Sequence, residues 1–335
     1  MIYNKEIATE RSYLFQKIRE FFNENDFLEV ETPIMNTIPG MEPHLTPFES
    51  DFTDPYGKKT PLYLNTSPEL QMKKLLGNGF GNIYNITKVF RNGEVGGGRH
   101  NPEFTMLEWY RVNANYKELM EDCENLVVDL ADSPSLTFDG HIVDISKPWT
   151  KLTTNELFQK YCDIDLEQNK DFETFSKTAQ NHQYNINGCN DWDDLFYKIF
   201  LNEIEPKLGF DKPIFVYDYP ASQAALSKKK PENPFWAERF ELYIAGNEIA
   251  NAYSELIDSK EQRSRLIEEQ ALRKKLAKPV FHIDEEFLTS LESITVPCAG
   301  IALGIDRLFM VLLNKKTIEE VLLFPLSKML NNLNN

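Results

Sequence analysis

The chain is poor in cysteine. Four are present, at positions 123, 162, 189 and 298, with no Cys-x-x-Cys pair and no His/Cys cluster beside them. That spacing excludes a zinc ribbon or a dithiol redox motif and points to buried, reduced thiols. A surplus of positive charge is also missing: 52 acidic side chains stand against 36 basic ones, a net charge of −16. Phosphate neutralisation dominates nucleic-acid affinity, so this balance argues against a nucleic-acid partner. No apolar run approaches membrane-spanning length, and the start Met1–Glu6 has no apolar signal core. Both absences predict a cytoplasmic protein without a membrane role. The common phosphate loops are lacking too. Gly57-Lys58-Lys59-Thr60 has no leading glycine at P-loop spacing, and Gly77-Asn78-Gly79-Phe80-Gly81 misses the last interval of the dinucleotide fingerprint.

What is there suits a large core. Hydrophobic residues make up 41% of the 335 positions and aromatics 12%, which excludes global disorder. Residues 5–26 read as an amphipathic helix through Ile7, Leu14, Phe15, Ile18, Phe21 and Phe22; Phe27–Thr32 then alternates and stops at Pro33. Further strand signals fall at 62–65, 83–91, 104–111, 213–219, 239–244, 248–256 and 300–305. Helical patterns fall at 67–76, 115–132, 259–277, 306–313 and 317–330, and an uneven acidic helical stretch at about 147–210 reads as a peripheral insertion. Hairpin-like strands with helices grouped around them predict an α+β fold built on an antiparallel sheet. No internal repeat or low-complexity linker divides the chain, so 1–335 reads as one domain.

Two segments carry phosphate chemistry. In the first, Arg91 ends one strand, Asn92 to Arg99 form a glycine-rich loop, and Phe104 begins the return. A planar guanidinium at Arg91 suits a two-pronged grip on an α-phosphate, with Arg99 and His100 towards the outer phosphates. Phe104 offers a stacking face, and Arg307 of the second segment, Gly300–Arg307, offers a cation for the other side of a base. Gly304 permits close backbone approach. A third stretch, Glu241–Glu255, sets carboxylates inside apolar strands, where only a cation or a ligand ammonium offsets their burial. A turn at Gly246-Asn247 brings Glu241 and Glu248 to one side, where hard oxygens suit Mg²⁺ held against ATP. Each element alone has a plainer reading: a solvated turn, a core phenylalanine, surface glutamates on a hairpin. Their coincidence in order favours the nucleotide site.

The runs Phe90-Arg91-Asn92…His100-Asn101-Pro102-Glu103-Phe104-Thr105-Met106-Leu107-Glu108-Trp109-Tyr110 and Gly300-Ile301-Ala302-Leu303-Gly304-Ile305-Asp306-Arg307 resemble motifs 2 and 3 of class II aminoacyl-tRNA synthetases, in the lysyl branch. Phe27–Pro33 resembles motif 1, which in that family builds a homodimer interface. The resemblance is closer to a shortened branch, the elongation factor P–(R)-β-lysine ligases, and covers essentially the whole chain. It implies that Arg91, Asn92, Gly93, His100, Asn101, Phe104, Glu241, Leu242, Gly304 and Arg307 bind ATP, with Mg²⁺ at Glu241 and Glu248. It implies that Ser67, Pro68, Glu69, Glu108, Tyr110, Glu248, Asn251, Glu255 and Ala302 bind the amino acid. Arg91, Arg307, Glu241 and Glu248 are then the catalytic set. Carboxylates at 69, 108 and 255 suit a diamine such as lysine or (R)-β-lysine.

Three departures from the lysyl synthetases refine this. The motif 1 helix starts almost at Met1, leaving no room for an N-terminal OB-fold that reads an anticodon; with the acidic balance, this makes tRNA an unlikely partner and elongation factor P the expected acceptor. Ala302 stands where the synthetases have glycine, and the shortened branch shares that alanine; its methyl disfavours an α-amino group and favours a displaced β-amino one. One methyl discriminates by only about 1–3 kcal/mol, so leakage to α-lysine is expected. The motif 2 loop, Gly93–Gly98, is a residue longer than in relatives and has Gly93 where an acid is usual, with Glu94 the candidate substitute. The competing expectations are a stand-alone synthetase with a tRNA or small-molecule acceptor, and an inactive nucleotide-binding paralogue.

Overall fold

A computed structural model describes residues 4–331. Strands run in chain order as β1 (Leu28–Glu29), β2 (Met35–Asn36), β3 (Glu49–Thr53), β4 (Lys59–Leu64), β5 (Ile83–Phe90), β6 (Glu103–Val112), β7 (Ser135–Phe138), β8 (His141–Asp144), β9 (Thr150–Thr153), β10 (Ile214–Pro220), β11 (Trp236–Ile244), β12 (Asn247–Ser254) and β13 (Cys298–Gly304). The main sheet has eight strands in the order β1-β5-β6-β13-β12-β11-β10-β9. Its six inner strands are antiparallel neighbours, as the hairpin pattern predicts. The outermost strands β1 and β9 lie parallel to β5 and β10, each reaching its partner only through a long crossover.

Helix α1 (Lys5–Glu24) is capped by Asn4, whose side chain accepts from the Glu6 and Ile7 amides. It packs with α2 (Glu69–Gly77), α3 (Tyr116–Leu130) and the later helices around the sheet, but the two sheet faces have different partners. One face sends Leu107, Trp109, Ile301, Leu303, Ala252, Phe240 and Leu242 into a core shared with Leu14, Ile18 and Phe22 of α1, with Leu119, Cys123 and Leu126 of α3, and with Leu308 and Phe309 of a C-terminal helix. Burying that many large apolar groups, at roughly 1.5–3 kcal/mol each, anchors the sheet. The opposite face carries the site and, on β10 and β11, a second core.

The 147–210 stretch is less peripheral than its composition suggests. Its first residues form β9 of the main sheet, and α4 (Thr154–Cys162), α5 (Phe172–Asn181) and α6 (Trp192–Ile199) build a second core with Ile214, Val216, Tyr219, Trp236 and Tyr243 of the sheet. α7 (Ser259–Lys275) and α8 (Glu285–Glu292) follow β12, and α9 (Ile305–Leu312), α10 (Ile318–Val321) and α11 (Leu326–Asn331) close the chain. The expected terminal helix at 317–330 is thus two short ones.

Two connections position the site. Asp306, at the start of α9, accepts from Arg11 Nη1 at 2.6 Å and from the Thr105 amide at 2.7 Å, locking the three motif segments together from beneath the sheet. α7 uses two buried arginines as backbone clamps. Arg265 donates to the carbonyls of Ala224, Ala225 and Ser227, and Arg273 to those of Glu42, Leu45 and Pro279. Those two loops form opposite walls of the cavity below.

Candidate active site

The turn joining β11 to β12 is Ala245-Gly246, not Gly246-Asn247: both carry positive φ (48° and 70°), and Ile244 pairs with Asn247 across them. Positive φ at both central residues is the two-residue hairpin geometry whose twist matches the strands. A register shift between Leu242 and Tyr243 then sets Glu248 opposite Tyr243 and Glu241 opposite Asn251. Directly opposed residues share a face, so the shift reconciles the seven-residue spacing and turns both carboxylates to one side.

Register extends that row across the sheet. Glu241 faces Asn251, Asn251 faces Ala302, Ala302 faces Glu108, and Glu108 faces Asn85. Four strands, two of them joined in one hairpin and the others distant in sequence, thereby place an acid, an amide, a methyl and an acid in line. Gly300 sits one row along; a Cβ there would lie 2.3 Å from the Tyr110 ring and 2.4 Å from Glu255 Oε1, so only glycine lets those side chains cross the strand. The expectation gave the close-approach role to Gly304. A Cβ at Gly304 meets nothing nearer than the Ile249 carbonyl at 3.9 Å, so this glycine keeps open space rather than a tight contact.

This face of the sheet borders a cavity of ≈ 1790 Å³. Ser67, Glu69, Arg91, His100, Asn101, Phe104, Glu108, Tyr110, Glu248, Asn251, Ala302, Gly304 and Arg307 all border it. Six expected site residues do not. Asn92 and Gly93 are exposed on the loop, Pro68 caps α2, Leu242 points into the main core, and Glu241 and Glu255 sit behind the lining. Asn101 borders it with its amide engaged elsewhere: it donates to the Glu103 carbonyl and accepts from the Leu326 amide, tying the hairpin to α11.

At the phosphate end, Arg307 Nη1 lies 3.2 Å from Glu248 Oε2 and Nη2 3.2 Å from His100 Nε2. The Arg91 guanidinium stacks over Phe104 at 5.2 Å. Glu94 fills the space between, 3.7 Å from Arg91 Nη1 and 3.7 Å from His100 Nδ1. Burial raises Glu94, but His100, Arg91 and Arg307 together outweigh it and hold its carboxyl below the ordinary range. An anion already stands where phosphates would meet these cations, and the sequence only hinted at it as a substitute for Gly93.

Glu241 is heavily engaged. Arg239 Nη2 donates to Oε1 at 2.7 Å, and the hydroxyls of Tyr219 and Tyr243 donate to Oε2 at 2.5 and 2.7 Å. A bulge around Asp218 turns Tyr219 to this side. Three of about four lone-pair directions are therefore taken. Glu248 is more open, 37% exposed at its side chain. The pair fits Mg²⁺ only as that ion is usually held, by one or two carboxylates plus phosphate oxygens and water. No group of three or more His, Cys, Asp or Glu among the described residues could hold a metal alone.

At the amino-acid end, the sequence reading missed a residue. Lys73 of α2, 1% exposed, places its ammonium 2.6 Å from Glu69 Oε1 and 2.6 Å from Glu255 Oε2, over the Tyr253 ring. Burial disfavours its charge, but Glu255 and Glu69 outweigh that and push its pKa up. Tyr253 also donates to Glu69. The Glu69-x-x-x-Lys73 spacing was the available signal, since i,i+4 partners meet on one helix face. Glu108, 1% exposed, accepts from Tyr110 at 2.9 Å through Oε2, while Oε1 is buried without a partner. Burial, then Glu69, push Glu108 well above the ordinary carboxylate range. An entering ammonium would relieve that.

Fold and site define a class II synthetase catalytic unit. The model of the class II tRNA synthetases (D, K and N) matches residues 3–328, and the chain belongs to that family. Among its relatives, the elongation factor P–(R)-β-lysine ligase of Haemophilus influenzae is 39% identical over 316 residues, covering 94% of this chain and 93% of that protein. The protein of the same name from Mannheimia succiniciproducens is also 39% identical over 316 residues, with the same coverage. A lysine–tRNA ligase of Magnetococcus marinus is 38% identical over 334 residues, 97% of this chain but 64% of that protein.

Proposed function

We propose that this enzyme is an ATP-dependent ligase that activates (R)-β-lysine, and α-lysine more weakly, as an adenylate and transfers it to a lysine ε-amine of elongation factor P. The observation that carries the reading is one cavity with two chemically distinct ends. Arg91, His100 and Arg307 gather at one end, and buried carboxylates with an unpartnered oxygen at the other. The ligase relatives match along nearly their full length, and their names supply the amino acid and the acceptor.

In the first half-reaction the amino-acid carboxylate attacks the α-phosphorus of ATP, a P–O bond forms and pyrophosphate leaves. Arg91 and Arg307 neutralise the charge that gathers on the phosphates and align the groups; no covalent enzyme intermediate is needed. Glu248, with Glu241 behind it, would hold Mg²⁺ that arrives with ATP and supplies further charge neutralisation. Glu94 must leave Arg91 and His100 as the nucleotide enters. In the second half-reaction the acceptor amine attacks the activated carbonyl, an amide forms, AMP leaves and the amine loses a proton. A free lysine amine has a pKa near ~10.4, so it arrives protonated and sheds that proton in the site. The cavity continues between the start of α6 and α7, where Asp191, Asp193, Asp194 and Glu268 share the lining with Lys229 and Lys275.

We read residues 1–335 as a single catalytic domain working as a homodimer through motif 1, where Tyr13 on α1 and Leu28 on β1 are exposed, with Ile34 and Met35 just beyond it. Residues 1–3 and 332–335 lie outside the described residues. No helix among those described is long and apolar enough to cross a membrane; the acceptor, a translation factor, puts the reaction in the cytoplasm. ATP–pyrophosphate exchange tests the reading. Exchange that depends on (R)-β-lysine supports it, and nucleotide binding without any amino-acid-dependent exchange contradicts it in favour of an inactive paralogue.

A further inference from the structure

The loop from Ile38 to Leu45 forms one wall of the cavity, and it carries a carboxylate that the reaction above does not use. Glu42 folds back over Gly40 so closely that a Cβ at Gly40 would lie 2.3 Å from Glu42 Oε2. That oxygen is buried and has no hydrogen-bond partner. The Glu42 carboxylate accepts from the backbone of its own residue and is not what ties the loop to α7. Arg273 and Lys278 hold it instead, through the backbone carbonyls of Glu42, Pro43, His44 and Leu45. A buried carboxylate oxygen left unpaired costs free energy. An incoming group would recover it.

Beside it stands a second unsatisfied group. Asn65 is 2% exposed and lines the same cavity, yet neither its Oδ1 nor its Nδ2 has a partner. Its neighbour Thr66 is tied to the reaction centre, since the Thr66 carbonyl accepts from Arg91 Nε. Glu69 completes the set: Lys73 and Tyr253 both bond its Oε1, which leaves Oε2 for a ligand. Burial, and then Glu69, push the pKa of Glu42 up, while Arg91 and Arg273 pull against them.

A lysine isomer brings two ammonium groups and one carboxylate, and an ammonium has three donors. The cavity offers two separate unpartnered carboxylate oxygens, Glu108 Oε1 on β6 and Glu42 Oε2 on the loop, with Arg91 suited to the carboxylate. Glu108 belongs to the row with Ala302 and Asn251. Glu42 belongs to the wall beside Thr66, and so to the neighbourhood of Arg91.

We propose that Glu42, with Asn65, receives the substrate amino group nearer the carboxylate, in either lysine isomer. Three acceptors, Glu42 Oε2, Glu69 Oε2 and Asn65 Oδ1, match the three donors of that ammonium. This assignment rests on the reading that the enzyme activates a diamino acid. Ala302 would then choose between the isomers by bulk, while Glu42 binds the amino group of either by charge.

The test is ATP–pyrophosphate exchange by the full chain and its Glu42→Gln variant, with (R)-β-lysine, α-lysine and ε-aminocaproate, which is lysine without the α-amino group. Glu42→Gln keeps shape and removes charge. The assignment predicts a KM raised ~10-fold or more for both diamino acids, an unchanged kcat, and no change for ε-aminocaproate. Asn65→Ala should raise the same two KM values ~3- to 10-fold and again spare ε-aminocaproate. The thermal midpoint of Glu42→Gln should not fall, because burial and Glu69 disfavour the charge it loses more than Arg91 and Arg273 favour it. Equal losses with all three substrates, or unchanged KM for the diamino acids, would overturn the assignment while leaving lysine activation standing. Absence of exchange by the wild-type chain with every amino acid would remove the underlying reading as well.

Discussion

Lys73 Nζ stands 2.6 Å from Glu255 Oε2 behind the amino-acid end of the cavity, each side chain only 1% exposed. With Glu69 on its other side, the ammonium offsets two carboxylates that would otherwise be buried unpaired. Replacing it by methionine leaves both uncompensated and should destabilise the fold by about 3–5 kcal/mol in urea unfolding. The sign with pH follows from the raised pKa values of Lys73 and Glu255. The lysine's own contribution is complete below its ordinary value of about 10.4. Burial, however, pushes the Glu255 pKa up to about 8 even with Lys73 holding it down. Losing Lys73 raises it further, so the Lys73→Met deficit should grow from about pH 6 to 9.

Glu269 of α7 gives the opposite slope. Burial, then Glu42 and Glu69, push its pKa up to about 8. The folded chain therefore holds this proton where the unfolded chain has lost it. Stability from this group is highest below about pH 4 and declines as pH rises to about 8, by on the order of 1–2 kcal/mol once partial exposure is allowed for. Glu269→Gln should flatten that decline in urea midpoints taken at pH 5 and 8.5; an unchanged slope would contradict the placement.

Gly300→Ala puts a methyl into the Tyr110 ring and Glu255. Overpacking of this kind typically costs about 1–3 kcal/mol. The clash lies at the amino-acid end, so the amino-acid KM should rise far more than the ATP KM.

Ala302 occupies the row between Glu108 and Asn251. Ala302→Gly should shift kcat/KM towards α-lysine relative to (R)-β-lysine by ~10-fold, the scale of one methyl in a pocket. No shift would leave isomer choice to other residues.

Glu94 stands beside Arg91 and His100, where the proposed reading brings the ATP phosphates. Its ion pairs are long and partly exposed, worth about 0.5–1 kcal/mol, so Glu94→Ala should lower the ATP KM ~2- to 5-fold. A raised KM would instead mean that Glu94 contacts the nucleotide.

Much of this was legible in sequence because the signals are local. The α1 stripe from Ile7 to Phe22, the hairpin returning at Phe104 and the α+β class all follow from spacing within one segment. What was not legible depends on partners elsewhere. Lys73 reads as one of several lysines on a helix until α2 lies against β12. The turn sits at Ala245 because strand register, not the glycine alone, selects it. Nothing in the sequence near Asn101 shows that its side chain accepts from the Leu326 amide of α11, and Glu42 sits in a proline-rich loop with no periodic signal at all. The β9 edge strand was hidden for the same reason: four residues carry too little pattern to distinguish an edge strand from the start of α4.

The central claim is aminoacyl transfer to a protein, and intact-mass spectrometry of elongation factor P tests it most directly. The factor, from the same organism, is incubated with this enzyme, ATP, Mg²⁺ and (R)-β-lysine or α-lysine, beside an Arg307→Ala control. The account predicts a gain of one lysyl unit, faster with the β-isomer and absent in the control. An unmodified factor in a reaction that still exchanges pyrophosphate with (R)-β-lysine would contradict the transfer step and assign the adenylate to a different acceptor.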